Sequence, residues 1–229
     1  MSKERSLLLI LLFAAFVGIG GWLMMNAITE HQTTFIAGTP PKDLNDVIVP
    51  QVLDLGQLHP PALQGTDAVR WGGVTSSVSI IEYGDYGCEN CRQLEPVLAQ
   101  IIPAYNGMVR FIWKDFIDPQ HADALPAAVF AYCAGAQGKY WQAHDALMAA
   151  SKLNELTYQT IASSLQLDSG PLSVCRHDAK VATGLQQQTD IARGDGINAS
   201  PILFVGTKAF QGSIPATDIQ NSLTGFLAN

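Results

Sequence analysis

The sequence predicts an α/β fold in which a block of helices is inserted into a small mixed β-sheet, with a membrane-spanning helix ahead of this domain. Three patterns predict the α/β part. A β-branched apolar run at 78–83 is followed by a helical segment from Cys88 and a second apolar run at 108–113. Residues 120–194 are alanine-rich and helical in pattern, and two short strand-like runs follow at 202–210.

The first 28 residues are predicted to anchor the chain in a membrane. Lys3 and Arg5 precede an uncharged apolar stretch from Leu7 to Met25, which at roughly 20 residues is long enough to span a bilayer. A cleaved signal peptide is the alternative. It fits less well because the residues before Ile28 present Met25 where a small side chain is needed. Both outcomes export the rest of the chain, since the basic residues hold the N-terminus in the cytoplasm.

Residues 29–70 are predicted to be a tether that links this anchor to the domain. Prolines divide the segment into short apolar runs, a composition that favours extended chain over a packed core. These prolines are Pro40, Pro41, Pro50, Pro60 and Pro61.

Residues 71–229 are predicted to form the folded domain. Val78–Tyr83, Cys88–Tyr105 and Met108–Trp113 have the order strand, helix, strand, so the two strands are expected to be parallel. The later elements are expected to be three helices, a β-hairpin around Gly206 and a last helix. Their predicted ranges are Ala127–Ala136, Tyr140–Ala150, Tyr158–Leu165, Ile202–Val205, Ala209–Phe210 and Thr217–Leu227.

Two cysteines, Cys88 and Cys91, lie at the start of the first predicted helix, separated by Glu89 and Asn90. Exposed N–H groups at a helix N-terminus stabilise a thiolate, so this spacing and position favour a dithiol that exchanges disulfides. An inert bridge or half of a zinc site is the alternative interpretation.

The chain has two further cysteines, Cys133 and Cys175, both in segments with a helical pattern. Four cysteines allow three connectivities, and the short spacing of Cys88 and Cys91 favours the one that leaves Cys133 bonded to Cys175. Such a bridge is expected to be structural and worth roughly 4 kcal/mol. Two separate buried thiols remain the alternative.

Several residues together resemble the thioredoxin fold, and the helical insertion resembles its DsbA-type branch of extracytoplasmic thiol–disulfide oxidoreductases. The resemblance covers roughly residues 71–229 and is carried by short motifs as well as by fold. These are Glu82 and Pro96 around the Cys88 motif, Ser200-Pro201 before a strand, Gly84 to Cys88, Gln137 to Trp141, and His144-Asp145.

The resemblance implies a role for each residue of the site. Cys88, expected to be exposed, attacks the partner's disulfide, and Cys91 resolves the mixed disulfide. Glu82 corresponds to a buried acid that relays a proton to or from Cys91, and burial is expected to raise its pKa. On the spacing of Glu82 from Cys88 alone, a hydrated Glu82 without a catalytic role is an equally good interpretation. The Ser200-Pro201 bond is expected to be cis, with the backbone there binding an incoming peptide.

Other polar residues carry weaker predictions. Lys114 is a candidate partner for Glu82, although the sequence leaves open whether Arg110 lies nearer. His121 and His144 are interpreted as packing and hydrogen-bonding residues. His177 lies beside Cys175, but no histidine pair has the spacing of metal ligands on a helix, so no metal site is predicted.

Glu89 and Asn90 depart from the strongly oxidising members of the branch, which commonly carry proline and histidine between the cysteines. An acid beside Cys88 opposes ionisation of its thiol, and a less ionised thiol makes the disulfide less oxidising. The hypothesis is a weaker oxidant than that subgroup.

The predicted function is therefore an extracytoplasmic thiol–disulfide oxidoreductase, held in a bacterial cell membrane with its catalytic domain on the periplasmic side. Its substrates are expected to be exported proteins that contain cysteine, a membrane partner recycles the dithiol, and no cofactor is needed. Oxidation is the favoured direction, with reduction or isomerisation as the alternative. A redox-inert module that binds copper, zinc or a client is the alternative of another class. The formal net charge of −7 argues against nucleic acid.

Overall fold

The computed structural model describes residues 55, 58–64 and 67–228. The predicted membrane helix at 1–28 and most of the predicted tether lie outside these residues. Within the described part of the chain, no helix is both long enough and apolar enough to cross a bilayer.

The domain is built on a five-stranded mixed sheet with the order β1-β3-β2-β4-β5. The central pair, β2 and β3, is parallel, as predicted, and Glu82 lies opposite Trp113 in its register. The other three pairings are antiparallel. The strands are β1 Val69–Arg70, β2 Val78–Gly84, β3 Val109–Asp115, β4 Ile202–Val205 and β5 Lys208–Gln211.

The strand β1 was not predicted and lies within the expected tether. Val69 pairs with Ile112 and Arg70 with Phe111, so the ordered sheet begins before the expected boundary at residue 71. A strand of two residues is too short to show an alternating pattern, which is why the sequence did not reveal it.

Seven α-helices of the described residues surround the sheet, and five of them form the predicted insertion or its continuation. Helix α1 continues through Pro96 but ends earlier than Tyr105, where the chain tightens into a 3-10 helix, Ile102–Tyr105, with Pro103 in its first turn. The helices are α1 Glu89–Ile101, α2 Ala124–Gly135, α3 Tyr140–Ala149, α4 Glu155–Ser164, α5 Ser169–Arg176, α6 Ala179–Gly194 and α7 Ala216–Leu227.

The two faces of the sheet carry separate cores. Ile80 and Phe111 pack with α1, α7 and most of the inserted helices on one face. Ile81, Tyr83 and Ile112 pack on the other face, together with the end of α6. Because side chains alternate along a strand, Glu82 lies on the face of Ile80, toward α1. This alternation decides which charged groups reach the site.

A disulfide joins Cys133 on α2 to Cys175 on α5. It confirms the predicted pairing and ties two helices of the insertion together. The described cysteines include no free thiol.

Candidate active site

Cys88 and Cys91 are bonded to each other at the N-terminus of α1. Cys88 is the N-cap residue, and its sulfur accepts a hydrogen bond from the backbone N–H of Cys91 at 3.2 Å. Cys91 is fully buried, and Cys88 is only 5% exposed. The expectation that Cys88 is exposed is therefore wrong for the bonded pair, because the loop ahead of β4 covers its sulfur.

That loop contains Ser200 and Pro201, and the peptide bond between them is cis, as the resemblance implied. The Sγ atom of Cys88 lies 3.6 Å from the carbonyl oxygen of Ser200. The backbone of this loop therefore contacts the dithiol directly.

The turn before Cys88 is organised by Asp85, which belongs to the Gly84 to Cys88 motif but had no predicted role. Its buried carboxylate accepts hydrogen bonds from the backbone N–H groups of Gly87 at 2.6 Å and Asp118 at 3.0 Å. The Nδ1 atom of His121 lies 3.1 Å from the same carboxylate, so His121 has the hydrogen-bonding role predicted for it. Burial raises the pKa of Asp85, and these contacts oppose the rise.

Glu82 is buried on β2, at 0% exposure, as the sequence predicted. Neither of its carboxylate oxygens has a hydrogen-bond partner among the described residues. Burial raises the pKa of Glu82 well above its ordinary value, and the nearby charge of Glu95 raises it further. The hydrated alternative is excluded by this burial.

The suggested pairing of Lys114 with Glu82 is wrong. Lys114 lies opposite Tyr83, so its side chain is on the other face of the sheet. There its ammonium group lies 2.5 Å from the carboxylate of Asp67, with both side chains mostly buried. Arg110 is also committed elsewhere, since its guanidinium donates to Ser79 and to the carbonyl of Gly73.

Glu95 and His144 lie behind the dithiol. Glu95 is one helical turn after Cys91, on the same buried face of α1. The Nε2 atom of His144 lies 3.1 Å from Glu95 Oε1, and the Nδ1 atom lies 3.0 Å from the hydroxyl of Tyr86. His144 therefore has the packing and hydrogen-bonding role predicted for it, whereas Glu95 and Tyr86 were missed. The spacing of four residues from Cys91 was the signal for Glu95.

The two residues between the cysteines, Glu89 and Asn90, are both exposed. The carboxylate of Glu89 accepts a hydrogen bond from the side-chain amide of Gln93 at 3.0 Å. Glu89 is also in the first turn of α1, where the helix dipole favours a negative charge.

Arg92, the residue after Cys91, connects the site to the insertion. Its guanidinium donates to the carbonyl oxygens of Tyr86 and Met148 at 3.0 Å each, and to that of Ala150. These contacts attach the first turn of α1 to the C-terminal end of α3.

Three side chains, Glu95, His144 and Asp145, have potential metal-binding atoms within 4.8 Å of one another. Arg70 already holds the carboxylate of Asp145 through two hydrogen bonds, at 2.5 and 2.8 Å. Because this carboxylate is occupied, we assign no metal site to the group. Neither cysteine of the dithiol belongs to it. His177, the histidine beside Cys175 in the sequence, is not part of this group. Its Nδ1 atom lies 2.8 Å from the carbonyl oxygen of Ser173.

A sequence profile described as thioredoxin matches residues 64–224. The chain belongs to the thioredoxin family. Solved structures of this fold include a thioredoxin-like oxidoreductase from Silicibacter pomeroyi DSS-3, with 24% identity and a TM-score of 0.64 over 72% of this chain and 95% of that one. The thiol-disulfide exchange protein alpha-DsbA2 from Wolbachia pipientis has 20% identity and a TM-score of 0.63, over 71% of this chain and 88% of that one. A periplasmic thioredoxin-like protein from Salmonella enterica serovar Typhimurium has 19% identity and a TM-score of 0.61, over 71% of this chain and 91% of that one.

Curated relatives are Na⁺/H⁺ antiporters. NhaA 1 of Salinispora arenicola is 28% identical over 71% of this chain, and NhaA 3 of Salinispora tropica is 30% identical over 64%. The alignments span only 25% and 22% of these antiporters, so the chain spans about a quarter of the length of these relatives. The profile match and the solved structures confirm the predicted thioredoxin-like fold. The bonded Cys88–Cys91 pair lies at the helix N-terminus where the sequence placed it.

Proposed function

We propose that this thioredoxin-family protein is an extracytoplasmic oxidoreductase that exchanges disulfides with exported proteins through Cys88 and Cys91. The observation that carries the proposal is the bonded pair at the N-terminus of α1, with the Sγ atom of Cys88 against the Ser200 carbonyl. Cys88 is 5% exposed and Cys91 is fully buried, so Cys88 is the sulfur that a substrate chain lying along the Ser200 backbone can reach.

The reaction in the oxidising direction takes two steps. A substrate thiolate attacks Cys88, forming a mixed disulfide while Cys91 leaves with the electron pair of the broken S–S bond and takes up a proton. A second substrate thiolate then attacks the substrate's own sulfur in the mixed disulfide, and Cys88 leaves as a thiolate. The substrate loses two electrons, which the enzyme gains as a dithiol. Glu82 is the proposed proton donor to Cys91.

The proposed location is outside the cytoplasm, with the catalytic domain tethered to the membrane. Stable disulfides persist mainly in oxidising compartments, so the structural Cys133–Cys175 bridge supports export. The uncharged apolar stretch after Lys3 and Arg5 supports the anchor. Proposed partners are exported proteins that contain cysteine and a membrane protein that recycles the dithiol.

Oxidation is the proposed direction, and Glu89 favours reduction or isomerisation as the second candidate. An acidic residue next to Cys88 disfavours the thiolate and so stabilises the disulfide relative to the dithiol. Because the carboxylate of Glu89 is exposed and bonded to Gln93, we expect its effect to be modest.

The test is the reduction potential of the full chain, kept in mild detergent and equilibrated with glutathione buffers before free thiols are trapped. A Cys88→Ser/Cys91→Ser variant, which keeps the Cys133–Cys175 bridge, is the matched control for background thiols. A potential near about −120 mV would indicate a disulfide donor, and one near about −270 mV would indicate a reductase. Absence of reversible exchange would refute the proposed function in both directions.

A further inference from the structure

A cavity of about 640 Å³ lies beside β3, and neither cysteine of the dithiol lines it. We call it the β3 cavity. Its walls come from the segment before β1, from β2 and β3, and from α2, α3 and α6. Pockets that hold small organic molecules have volumes of about 300 to 1,000 Å³, so the β3 cavity has room for such a molecule.

The β3 cavity passes around the edge of the sheet. The strand β1 pairs with only two residues of β3, so it does not cover the last residues of that strand. Trp113 and Asp115 line one end of the cavity, on the face of the sheet that packs against α1. Tyr83 and Lys114 line the other end, on the opposite face. The cavity therefore has two ends, one on each face.

Helix α6 extends along the β3 cavity from one end to the other. Leu185 packs in the core on the face of Trp113, whereas Ala192 packs in the core on the face of Tyr83, and both line the cavity. Asp195, the C-cap of α6, lines the second end. At 1.5 Å per residue, the part of the helix from Leu185 to Asp195 spans about 15 Å. The cavity is therefore elongated.

Asp115 supplies the charge at the first end. It is 8% exposed, and one oxygen of its carboxylate accepts a hydrogen bond from the indole N–H of Trp113 at 2.8 Å. Burial raises the pKa of Asp115 to about 6, so the carboxylate is ionised at about pH 8. No ion pair among the described residues includes Asp115. This end therefore carries a negative charge without a basic partner.

Asp195 supplies the charge at the second end. Lys114 and Asp67 also line this end, but they are bound to each other at 2.5 Å, so the pair has no net charge. Asp195 is exposed and takes part in none of the ion pairs of the described residues. The carbonyl end of α6 adds to its negative potential. The Tyr83 hydroxyl, on a side chain that is 7% exposed, has no hydrogen-bond partner in the described structure and is free to accept one.

Apolar side chains of α6 line the β3 cavity between its two ends. Leu185, Ile191 and Ala192 all belong to this wall, and Ile191 is 65% exposed. An alkyl chain that packed against them would remove apolar surface from water, which is favourable. A bare metal ion would leave this surface in water, so the wall favours an organic ligand.

We propose that the β3 cavity binds a linear aliphatic diamine or polyamine, with one terminal ammonium group at Asp115, the other at Asp195 and the Tyr83 hydroxyl, and the alkyl chain along α6. An ammonium group has three N–H donors, so it can satisfy a carboxylate and a hydroxyl together. Two cationic ends match the two acidic ends of the cavity. The inference goes beyond the proposed disulfide exchange and does not depend on it.

The experiment is isothermal titration calorimetry of the full chain in a nonionic detergent at about pH 8. The probe is 1,8-diaminooctane. Its matched control is 8-amino-1-octanol, in which a hydroxyl replaces one ammonium group at the same length. Because hydrogen bonds to charged groups are stronger than neutral ones, we expect the diamine to bind about tenfold more tightly. Equal affinities, or no binding of the diamine, would overturn the inference.

Two variants test the two ends. Asp115→Asn keeps an acceptor for the Trp113 N–H but removes the charge, so the preference for the diamine over the amino alcohol should fall at least about fivefold. Asp195→Asn should weaken diamine binding about two- to fivefold, since this exposed charge is screened by water. Asp190→Asn is the matched control, an exposed aspartate of α6 that does not line the cavity. An equal loss in Asp190→Asn and Asp195→Asn would mean only general surface attraction and would overturn the inference.

The outcome is separable from the redox chemistry and from folding. Cys88→Ser/Cys91→Ser should bind the diamine as the unmodified chain does, because neither cysteine lines the cavity. Loss of exchange with diamine binding intact would refute the proposed function alone, and the reverse result would refute this inference alone. If Asp115→Asn does not fold, Asp195→Asn decides, because a surface charge can be removed without disturbing the core. Unchanged diamine binding in Asp195→Asn would contradict the proposed site.

Discussion

Removing the disulfide between Cys133 and Cys175 should destabilise the domain by an amount that the structure sets. The bridge spans a sequence separation of 42, for which the chain-entropy relation gives about 4 kcal/mol. Cys133 is buried on α2 among alanines, so Cys133→Ala/Cys175→Ala changes little else at that end. We therefore expect most of the loss to come from the freed unfolded chain.

The assay is urea unfolding of the full chain in mild detergent, with the unfolding free energy extrapolated to water. With a urea dependence of about 2 kcal/mol per molar, the midpoint should fall by roughly 2 M. The Cys88→Ser/Cys91→Ser variant is the comparison, because it also removes one disulfide. Its sequence separation is only 3, so the same relation gives less than about 2 kcal/mol.

A loss below about 1 kcal/mol in Cys133→Ala/Cys175→Ala, with the bridge shown by mass spectrometry in the parent, would refute the chain-entropy explanation. An equal loss in both double variants would also refute it, since loop length would then have no effect.

Three further predictions concern buried charge. Burial raises the pKa of Asp115 from 3.8 to about 6, so ionisation of Asp115 destabilises the fold by about 3 kcal/mol as the pH rises from about 4 to above 6. Urea unfolding of Asp115→Asn at both pH values should lack this component. An unchanged pH dependence in the variant would contradict the assignment. Asp85→Ala should cost roughly 1–3 kcal/mol, because it leaves the buried N–H of Asp118 without its acceptor, and amide exchange at Asp118 should accelerate. Lys114→Met should lower stability on the order of 3 kcal/mol by isolating Asp67 but leave the reduction potential unchanged; a shifted potential would mean that Lys114 does act on the dithiol.

The sequence was sufficient wherever a property follows from local pattern. The β-branched apolar run around Glu82 predicted a strand, and the resemblance to the thioredoxin fold implied that this acid is buried. The order strand, helix, strand predicted the parallel β2–β3 pair, and the spacing of Cys88 and Cys91 predicted which cysteines bond. The boundaries were less accurate, because α1 ends before Pro103 and β1 is only two residues long.

The partners of the buried charges could not be predicted in the same way. Lys114 is near Glu82 in the sheet register, yet it lies on the opposite face and binds Asp67, 47 residues earlier. Tyr86 and His144 are 58 residues apart and meet only because α3 packs behind α1. No short-range pattern encodes such contacts.

The sequence by itself determined the chemistry of the site, the fold that presents it and the helix terminus on which Cys88 lies. These follow from residue type and periodicity, which act over a few neighbouring residues. The tertiary structure decided that the bonded Cys88 is covered by the Ser200-Pro201 loop. It also decided that the charged group acting on Glu82 is Glu95 and that Lys114 lies on the other face of the sheet. The physical reason is that burial and charge pairing depend on how distant helices pack against the sheet.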